Sequence, residues 1–239
     1  MLYQGSKASI GAKIAKVIEF YQPGRVFVEP FCGGLNLTQY VKGIKYCSDA
    51  NPYLIAMWEK ILYEDWLGPH SWNEDYYKTV RDNKNDFPPE IVGWVGFCSF
   101  GGGFFNGQRG LNYKGRDFTK EYYLNFIKQR DVLKNVILRC CPYVEVKLNK
   151  PSIIYCDPPY ANTKEYSSNF QHHSFWEWCR QQTKEHIVLV SEYTAPKDFK
   201  IVWSVVRKSG MRLGVASEHQ ENLYIHESQF TRTFYEPRS

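Results

Sequence analysis

The sequence contains no long hydrophobic run, and no apolar stretch approaches the roughly 20 residues that a membrane-spanning helix needs. Its first residues, MLYQGSKASIG, also lack the apolar segment of a secretory signal. It has no C-x-x-C pair, because its seven cysteines stand at positions 32, 47, 98, 140, 141, 156 and 179. These absences predict a reduced, cytoplasmic protein without a membrane or metal partner.

The sequence also has little net charge, with +5 over 239 residues. So weak a charge neither establishes nor excludes a nucleic-acid partner. The charge is unevenly distributed, because 105–150 contains ten Lys/Arg and four Asp/Glu, whereas 46–92 contains nine acidic and four basic residues. The basic segment is also rich in Gly, Asn and Tyr. We interpret it as a phosphate-facing surface, with an ordinary solvated face as the alternative.

Helix-like and strand-like patterns alternate along the chain, which is 43% hydrophobic and long enough for one large domain with an insertion. The spacing predicts helices at 10–21, 35–41, 52–66 and 119–135. It predicts strands at 26–28, 45–48, 136–138, 152–156, 187–190, 201–206 and 222–226. This alternation favours an α/β fold with a parallel sheet, interrupted by an insertion at 67–135.

The tetrapeptide Asp157-Pro158-Pro159-Tyr160 is the strongest chemical signal, because it directly follows the apolar strand at 152–156. A carboxylate at the end of a parallel strand lies at the edge where α/β folds bind ligands. The prolines stiffen the turn and leave its carbonyls without backbone partners. Asp157 and the Pro158 carbonyl can then each accept an N–H of an exocyclic amine, while Tyr160 stacks on the planar ring. A rigid turn with a structural aspartate is the alternative.

A second candidate site follows the strand at 26–28 and comprises Glu29, Pro30, Phe31, Cys32, Gly33 and Gly34. The two glycines allow the backbone to approach a ligand closely. Asp49 ends the next predicted strand, where an acid can bind ribose hydroxyls. Together they predict a site for an adenosine-type cofactor. The lack of a G-x-G-x-x-G pattern disfavours a dehydrogenase.

In their order along the chain, with the cofactor segments before the Asp157–Tyr160 tetrapeptide, the motifs resemble those of the Dam-type, alpha-class DNA adenine-N6 methyltransferases, which use S-adenosylmethionine. The resemblance covers most of the chain. It implies a Rossmann-like methyltransferase sheet with an inserted, mostly helical target-recognition subdomain. The catalytic domain would comprise 1–66 and 136–239, and the target-recognition insertion 67–135.

The resemblance also implies roles for individual residues. The catalytic residues would be Asp157, Pro158, Pro159 and Tyr160. The cofactor-binding residues would be Tyr3, Gly5, Lys7, Glu29, Pro30, Phe31, Cys32, Gly33, Gly34, Asp49, Ala50 and Asp157. The segment Phe105-Asn106-Gly107-Gln108-Arg109 resembles the recognition hairpin of the family, and 189–193 occupies the position that lines its target pocket. With the basic segment, this gives the DNA-binding candidates Asn106, Gln108, Arg109, Lys114, Arg116 and Lys120.

The implied reaction transfers a methyl group from S-adenosylmethionine to the N6 amine of an adenine in double-stranded DNA. Such a base must leave the duplex first, which costs about a few kcal/mol. The expected partner is DNA, the expected state a monomer or weak dimer, and the expected location the cytoplasm of a bacterial cell or a phage-infected host.

Three alternatives to this reaction remain open. Cytosine N4 or an RNA base also presents an exocyclic amine. A catalytically silent DNA-binding module on the same fold is a different class of function. Protein-glutamine methylation is disfavoured, because the corresponding turn usually begins with Asn and here begins with Asp157.

Overall fold

The computed structural model describes residues 1–69, 71–107, 118–160, 170–208, 218–231 and 234, without the side chains of Thr119 and Lys208. Two compact units are present. The first comprises Met1–Ala15 and Cys32–Val146, and the second comprises Lys16–Phe31 and the described residues from Lys147 onward.

Helices and strands alternate along the chain, which confirms the expected α/β class. The helices are α1 (Gly11–Tyr21), α2 (Pro52–Tyr63), α3 (Glu74–Asp82), α4 (Pro89–Phe97), α5 (Phe118–Val132) and α6 (His172–Gln182). The strands are β1 (Val26–Glu29), β2 (Lys45–Asp49), β3 (Val136–Cys140), β4 (Ser152–Cys156), β5 (Ile187–Glu192), β6 (Phe199–Lys208) and β7 (Glu218–His226). Over the part of the chain that the structure describes, no helix is both long and apolar enough to cross a membrane.

The core of the first unit is built around a cluster of aromatic rings from three helices. The ring of Trp94, on α4, stacks on Phe126 of α5 at 4.6 Å between centroids, and Trp58 of α2 lies 5.5 Å from Phe126. All three side chains are fully buried, and such rings contribute strongly to core stability through the large apolar area they remove from water. The described part of 67–135 contains helices α3 to α5 and no strand, so this part of the chain is mostly helical.

Parallel strands meet in both units. In the first unit, β2 pairs with β3 in register from Lys45↔Val136 to Asp49↔Cys140. In the second unit the strand order is β1-β4-β5-β7-β6; β1, β4 and β5 are parallel, whereas β7 is antiparallel to β5 and β6. Strand β4 is buried along its whole length, which explains its continuous apolar run.

The carboxyl ends of β1, β4 and β5 lie at the same edge of the second unit's sheet, because these strands are parallel. Strand β1 ends at Glu29 and β5 at Glu192, and Asp157 immediately follows β4. This edge therefore presents three carboxylates, at the position where α/β folds bind ligands.

The prediction of a helix at 35–41 is wrong, since this segment contains only a short 3₁₀ turn at Thr38–Tyr40. Gly33 and Leu35 adopt left-handed φ angles of 46° and 53°, which a right-handed helix excludes. The Leu35 N–H donates to the Cys32 carbonyl at 2.8 Å and closes a turn instead. The glycine loop thus ends in a turn rather than in a helix N-terminus.

The ends of two other predicted helices also shift. Helix α2 ends at Tyr63 rather than at 66, because Asp65 has a left-handed φ of 55°. Helix α5 covers Phe118–Val132 rather than 119–135, and Asn135, also left-handed, precedes β3. Helices α3 and α4 had no clear apolar periodicity, although α3 has a capping signal: the Asn73 side chain accepts from the Tyr76 N–H at 2.8 Å.

An ion pair joins α6 to the chain before β6. Arg180 donates from Nε to Oδ2 of Asp198 at 2.6 Å and from Nη2 to Oδ1 at 2.9 Å, and His226 Nε2 lies 3.4 Å from the same carboxylate. The hydrogen bonds from Arg180 lower the pKa of Asp198 from 3.8 to about 2. A carboxylate with a depressed pKa stabilises the fold above its ordinary pKa, and that contribution is lost as the pH falls towards 2.

We therefore expect Asp198→Asn to lower the free energy of unfolding by about 2 kcal/mol at pH 7, since a charge-assisted hydrogen bond contributes about that much. The deficit should be about half as large at pH 3, where the wild-type contribution is itself partly lost. Urea denaturation at both pH values measures this. The exposed Glu185 provides a control: Glu185→Gln should change stability little at either pH, and an equal loss in both variants contradicts the account.

Candidate active site

Asp49, at the carboxyl end of β2, is bound by the backbone on both sides of its carboxylate. The Gly33 N–H donates to Oδ2 at 3.1 Å and the Asn51 N–H donates to Oδ1 at 2.9 Å. Burial raises the pKa of the Asp49 carboxyl above its ordinary value, although N–H donors from Asn51, Gly33 and Ala50 partly offset this. Because each carboxylate oxygen has two lone pairs, the three N–H donors leave capacity for a further donor such as a ribose hydroxyl.

Two buried side chains hold the carbonyls of the glycine loop. The indole Nε1 of Trp58 donates to the Gly33 carbonyl at 3.2 Å, and Nε2 of Gln129 donates to the Gly34 carbonyl at 2.7 Å. With both carbonyls held, the loop has a defined conformation. Sequence reasoning missed both residues. The spacing of Gln129 could have indicated its burial, because it is a polar residue in line with the buried Tyr122 and Phe126 of α5 and with Leu133, which directly follows the helix.

The N-terminal segment packs directly on this loop. The ring of Tyr3 lies against both glycines: a Cβ atom added at Gly33 would be 2.6 Å from Tyr3 Cε1, and one added at Gly34 would be 2.7 Å from Tyr3 Cβ. Tyr3 also stacks on Phe97 at 5.7 Å. Glycine is therefore required at 33 and 34 by the neighbouring tyrosine as well as by the positive φ at Gly33.

The remaining cofactor candidates of the first unit lie along the same segments. Lys7 is buried and donates from Nζ to the Gly5 carbonyl at 3.4 Å. The Cys32 N–H donates to the Ser48 carbonyl at 2.9 Å, and Ala50 follows Asp49 at the exposed end of β2. The structure thus brings Tyr3, the glycine loop and Asp49 together, as predicted for this part of the site.

The glycine cluster of the insertion supports the N-terminal segment. Gly102 has φ +73°, and a Cβ atom there would lie 2.5 Å from the Leu2 carbonyl oxygen and 2.7 Å from the Tyr3 nitrogen. The Gln4 N–H also donates to the Gly102 carbonyl at 3.3 Å. Gly101 has a similar φ of +69° but nothing within 4 Å of its Cβ position.

These two glycines form a matched pair for a test. Both alanine variants carry left-handed strain of about 1 kcal/mol or more, but only Gly102→Ala also meets backbone atoms that cannot move independently. We expect Gly102→Ala to displace Tyr3 and to weaken S-adenosylmethionine binding at least about tenfold more than Gly101→Ala, a difference of about 1.4 kcal/mol. Isothermal titration calorimetry measures both; equal affinities would show that Gly102 does not support the cofactor loop.

In the second unit, Asp157 belongs to a group of acidic and phenolic side chains. Tyr155, the buried residue of β4 two positions before it, shares a hydrogen bond with Ser191 of β5 at 2.8 Å between oxygens. Burial raises the pKa of Tyr155 well above its ordinary value, and the nearby charges of Asp157, Glu29 and Glu221 add to this. Glu29 and Glu221 are almost fully buried, while Asp157 is half-buried.

Tyr160 is the most constrained residue of the Asp157-Pro158-Pro159-Tyr160 turn. It is buried, its hydroxyl donates to Oε1 of Glu221, and its ring meets that of Tyr193 edge-on at 4.7 Å between centroids. Burial raises the pKa of Tyr160 well above its ordinary value, with further contributions from Asp157 and Glu221, so the phenol remains a neutral donor. Pro158 is buried and Pro159 half-buried.

Tyr193, which follows β5, is fixed through its backbone. Its carbonyl accepts from Asn222 Nδ2 and from the Tyr224 hydroxyl, both at 3.1 Å, and its N–H donates to Glu192 Oε1 at 2.8 Å. The segment expected to line the target pocket therefore carries an exposed aromatic ring held beside Tyr160.

The other cofactor candidates in the second unit are hydrophobic neighbours of Glu29. Pro30 is buried, and the Phe31 ring packs edge-on against Phe175 at 5.7 Å and Phe170 at 5.9 Å. These contacts give Phe31 a packing role that the sequence pattern did not indicate.

Most DNA-binding candidates cannot be placed. Gln108, Arg109, Lys114 and Arg116 lie outside the described residues. Lys120 is exposed near the start of α5, and Asn106 is exposed with its Nδ2 donating to the Phe100 carbonyl at 3.4 Å. Among the side chains that the structure describes, no group of three or more His, Cys, Asp or Glu residues could hold a metal ion.

Comparison with solved structures finds methyltransferases of low sequence identity. The rRNA methyltransferase aviRa from Streptomyces viridochromogenes is 11% identical, with 95% of this chain and 87% of that chain covered and a TM-score of 0.46. SMU.472, described as a methyltransferase and solved in complex with SAH, is 13% identical, with 95% of this chain and 55% of that chain covered and a TM-score of 0.37. No curated protein matches the sequence.

The match to a known protein family covers most of the chain. Residues 3–91 and 99–232 match the D12 class N6 adenine-specific DNA methyltransferase family. This match includes the glycine loop, Asp49 and the Asp157–Tyr160 turn. The protein is therefore an S-adenosylmethionine-dependent methyltransferase and belongs to the D12 class of N6 adenine-specific DNA methyltransferases, as the resemblance of its motifs predicted.

Proposed function

We propose that this protein methylates the N6 amine of a specific adenine in double-stranded DNA, after the base has been flipped out of the duplex. The observation that carries the proposal is the Asp157–Tyr160 turn at the carboxyl end of a buried parallel strand, with the Tyr160 ring held on two sides. A base inside a duplex is out of reach of such a turn, so the reaction requires an extruded base.

The residues of the turn have distinct roles in this reaction. The Asp157 carboxylate and the Pro158 carbonyl each accept one N–H of the exocyclic amine, which orients it and favours departure of its lone pair from ring conjugation. The nitrogen then attacks the methyl carbon as the methyl–sulfur bond breaks and S-adenosylhomocysteine leaves. The Asp157 carboxylate stabilises the positive charge that develops on the nitrogen until one N–H proton is lost to solvent. Tyr160 stacks on the base, which offsets part of the lost stacking in the duplex.

The cofactor-binding roles follow from the groups described in each unit. When bound, S-adenosylmethionine supplies an electrophilic methyl group on a sulfonium. A free lone pair of Asp49 fits a ribose hydroxyl, and the Asp49 carboxylate lies beside the glycine loop, where it accepts from the Gly33 N–H. Tyr3, Gly5 and Lys7 are the candidates for holding its methionine portion, because Tyr3 packs on the glycine loop and Lys7 binds back to Gly5.

The insertion at 67–135 is the proposed target-recognition region. Its exposed Asn106, with Gln108 and Arg109, would contact base edges, and Lys114, Arg116 and Lys120 would contact phosphates. The proposed enzyme acts as a monomer or weak dimer in the cytoplasm of a bacterial cell or a phage-infected host, where such DNA is found.

Removing the phosphate contacts should weaken binding to all DNA sequences equally. The logarithm of the DNA-binding constant falls with the logarithm of the salt concentration, and each released contact should make this slope about 0.9 less steep. The triple alanine variant of Lys114, Arg116 and Lys120 should therefore have a slope about 2.7 less steep than the wild type. Fluorescence anisotropy of labelled duplexes between low and moderate salt measures the slope. A variant that keeps the wild-type slope shows that these side chains do not contact the backbone.

The proposed reaction is tested with purified protein, methyl-labelled S-adenosylmethionine and unmethylated genomic DNA. Digestion to nucleosides should yield labelled N6-methyladenine from duplex DNA and much less label from RNA. Labelled N4-methylcytosine, or transfer to RNA alone, would overturn the adenine assignment in DNA. DNA binding without any cofactor binding in calorimetry would indicate a catalytically silent module.

A further inference from the structure

The Tyr160 hydroxyl donates to the carboxylate of Glu221, which lies far along the chain on β7. No motif assigns a role to Glu221. Glu221 is 3% exposed, and Tyr160 is 9% exposed. Burying a carboxylate is unfavourable unless donors compensate for its lost hydration. Unlike a surface carboxylate, the buried Glu221 therefore requires such donors.

Each oxygen of the Glu221 carboxylate has a described partner. Oε1 accepts from the phenol of Tyr160, and Oε2 lies 3.6 Å from Nη1 of Arg207 on the adjacent strand β6. In the β6–β7 register, Glu221 lies opposite Val205, and Arg207 is opposite His219. Arg207 thus neutralises part of the charge, and Oε1 is oriented towards Tyr160.

Strand β7 also holds the second ring of the pair. Asn222 and Tyr224 donate to the Tyr193 carbonyl, and the Tyr193 ring packs edge-on against Tyr160. Tyr160 is thereby restrained at two points, the hydroxyl by Glu221 and the ring by Tyr193. The hydrogen bond fixes the direction of the axis from Cβ to the hydroxyl oxygen, and the contact with Tyr193 restricts rotation of the ring about that axis.

We infer that Glu221 is a positioning residue for methyl transfer, which acts through the Tyr160 hydroxyl to hold that ring at the position where the target base stacks. The inference rests on the proposed function, since it needs Tyr160 to contact the base. A ring fixed before the base arrives loses no rotational freedom on stacking, and misplacement by about 1 Å can cost about 100-fold in rate. The role belongs to the hydrogen bond and not to the charge of Glu221.

A double-mutant cycle separates this role from a merely structural one. Single-turnover methyl transfer to unmethylated genomic DNA is measured for the wild type, Glu221→Leu, Tyr160→Phe and the double variant. We expect each single variant to lose about 10- to 100-fold in the rate constant, with the affinity for S-adenosylmethionine unchanged. The double variant should be no slower than the slower single variant, because both substitutions remove the same hydrogen bond.

The conservative variant Glu221→Gln provides the matched control. It keeps an oxygen that accepts from the phenol, so its rate constant should stay within about threefold of the wild type. A Glu221→Gln rate as low as that of Glu221→Leu, or strictly multiplicative losses in the cycle, overturns the inference. If Glu221→Leu does not fold, Tyr160→Phe carries the test, and a wild-type rate in that variant overturns it.

Failure of the proposed function gives a different result. A wild-type protein that binds S-adenosylmethionine but transfers no methyl group to DNA overturns the proposed function and this inference with it. An active wild type with independent effects at 160 and 221 overturns the inference alone.

Discussion

Replacing Asp157 with alanine is expected to reduce the rate of methyl transfer by about 100- to 1000-fold, the range seen when one acceptor or donor aimed at transition-state charge is removed. In the proposed reaction, the carboxylate accepts an N–H of the target amine and faces the positive charge that develops on its nitrogen. Asp157→Asn keeps the size of the side chain and loses the charge, so its rate should also fall by at least about tenfold. Single-turnover assays with labelled cofactor measure both rates.

The control for this prediction is the affinity for S-adenosylmethionine. We expect calorimetry to give a dissociation constant within about threefold of the wild type for both Asp157 variants, because the effect belongs to the transition state. The exposed Glu185 serves as the matched acidic residue in the same unit, and Glu185→Ala should keep the wild-type rate. Normal turnover by Asp157→Ala would remove Asp157 from the reaction.

Replacing Asp49 with alanine is expected to weaken S-adenosylmethionine binding by about 100-fold, because the proposed charge-assisted hydrogen bond to the ribose is lost. The substitution also leaves the N–H groups of Gly33 and Asn51 without their carboxylate. Asp49→Asn keeps one acceptor oxygen for these donors and should lie between the alanine variant and the wild type. Isothermal titration calorimetry without DNA measures all three affinities.

An exposed aspartate of the same unit separates this effect from a general loss of charge. Asp65, whose side chain is 82% exposed, pairs with Arg130 away from the glycine loop. Asp65→Ala should bind S-adenosylmethionine with wild-type affinity. If Asp49→Ala binds as tightly as Asp65→Ala, Asp49 is not a ribose ligand.

The sequence was sufficient to predict the α/β class and the side chains and turns that lie at the ends of the strands. Strand β4 was predicted at its observed bounds because all five residues are buried and apolar or small, and the turn after it follows directly. The positions of Gly33 and Asp49 at the ends of consecutive strands predict that they lie together, and a hydrogen bond joins them in the structure, while their role in cofactor binding stays a prediction. Strand-end chemistry is predictable because parallel strands direct their carboxyl ends to one edge.

Contacts made across long sequence separations were not predictable in the same way. Gln129 is 95 positions from Gly34, and Glu221 is 61 positions from Tyr160. Local periodicity holds no information on which distant element will pack beside a loop. The sequence pattern also placed Glu221 outside any strand, because it predicts that β7 begins at Asn222, whereas the strand begins at Glu218.

The helix expected at 35–41 does not form. Its composition suits a helix, but the left-handed conformations at Gly33 and Leu35 close a turn first. The Tyr3 ring packed on Gly33 and Gly34 accompanies this conformation, and that contact joins residues about 30 positions apart. Tertiary packing therefore overrode a helical propensity that is itself weak.

Expression in a methylation-deficient bacterium, followed by mapping of modified bases across its genome, tests the central claim most directly. The account predicts N6-methyladenine at one recurring sequence motif in cells that produce the wild-type protein, and none in cells that produce Asp157→Ala at equal abundance. Unmodified DNA in both strains, methylation of another base, or equal methylation by Asp157→Ala would contradict it.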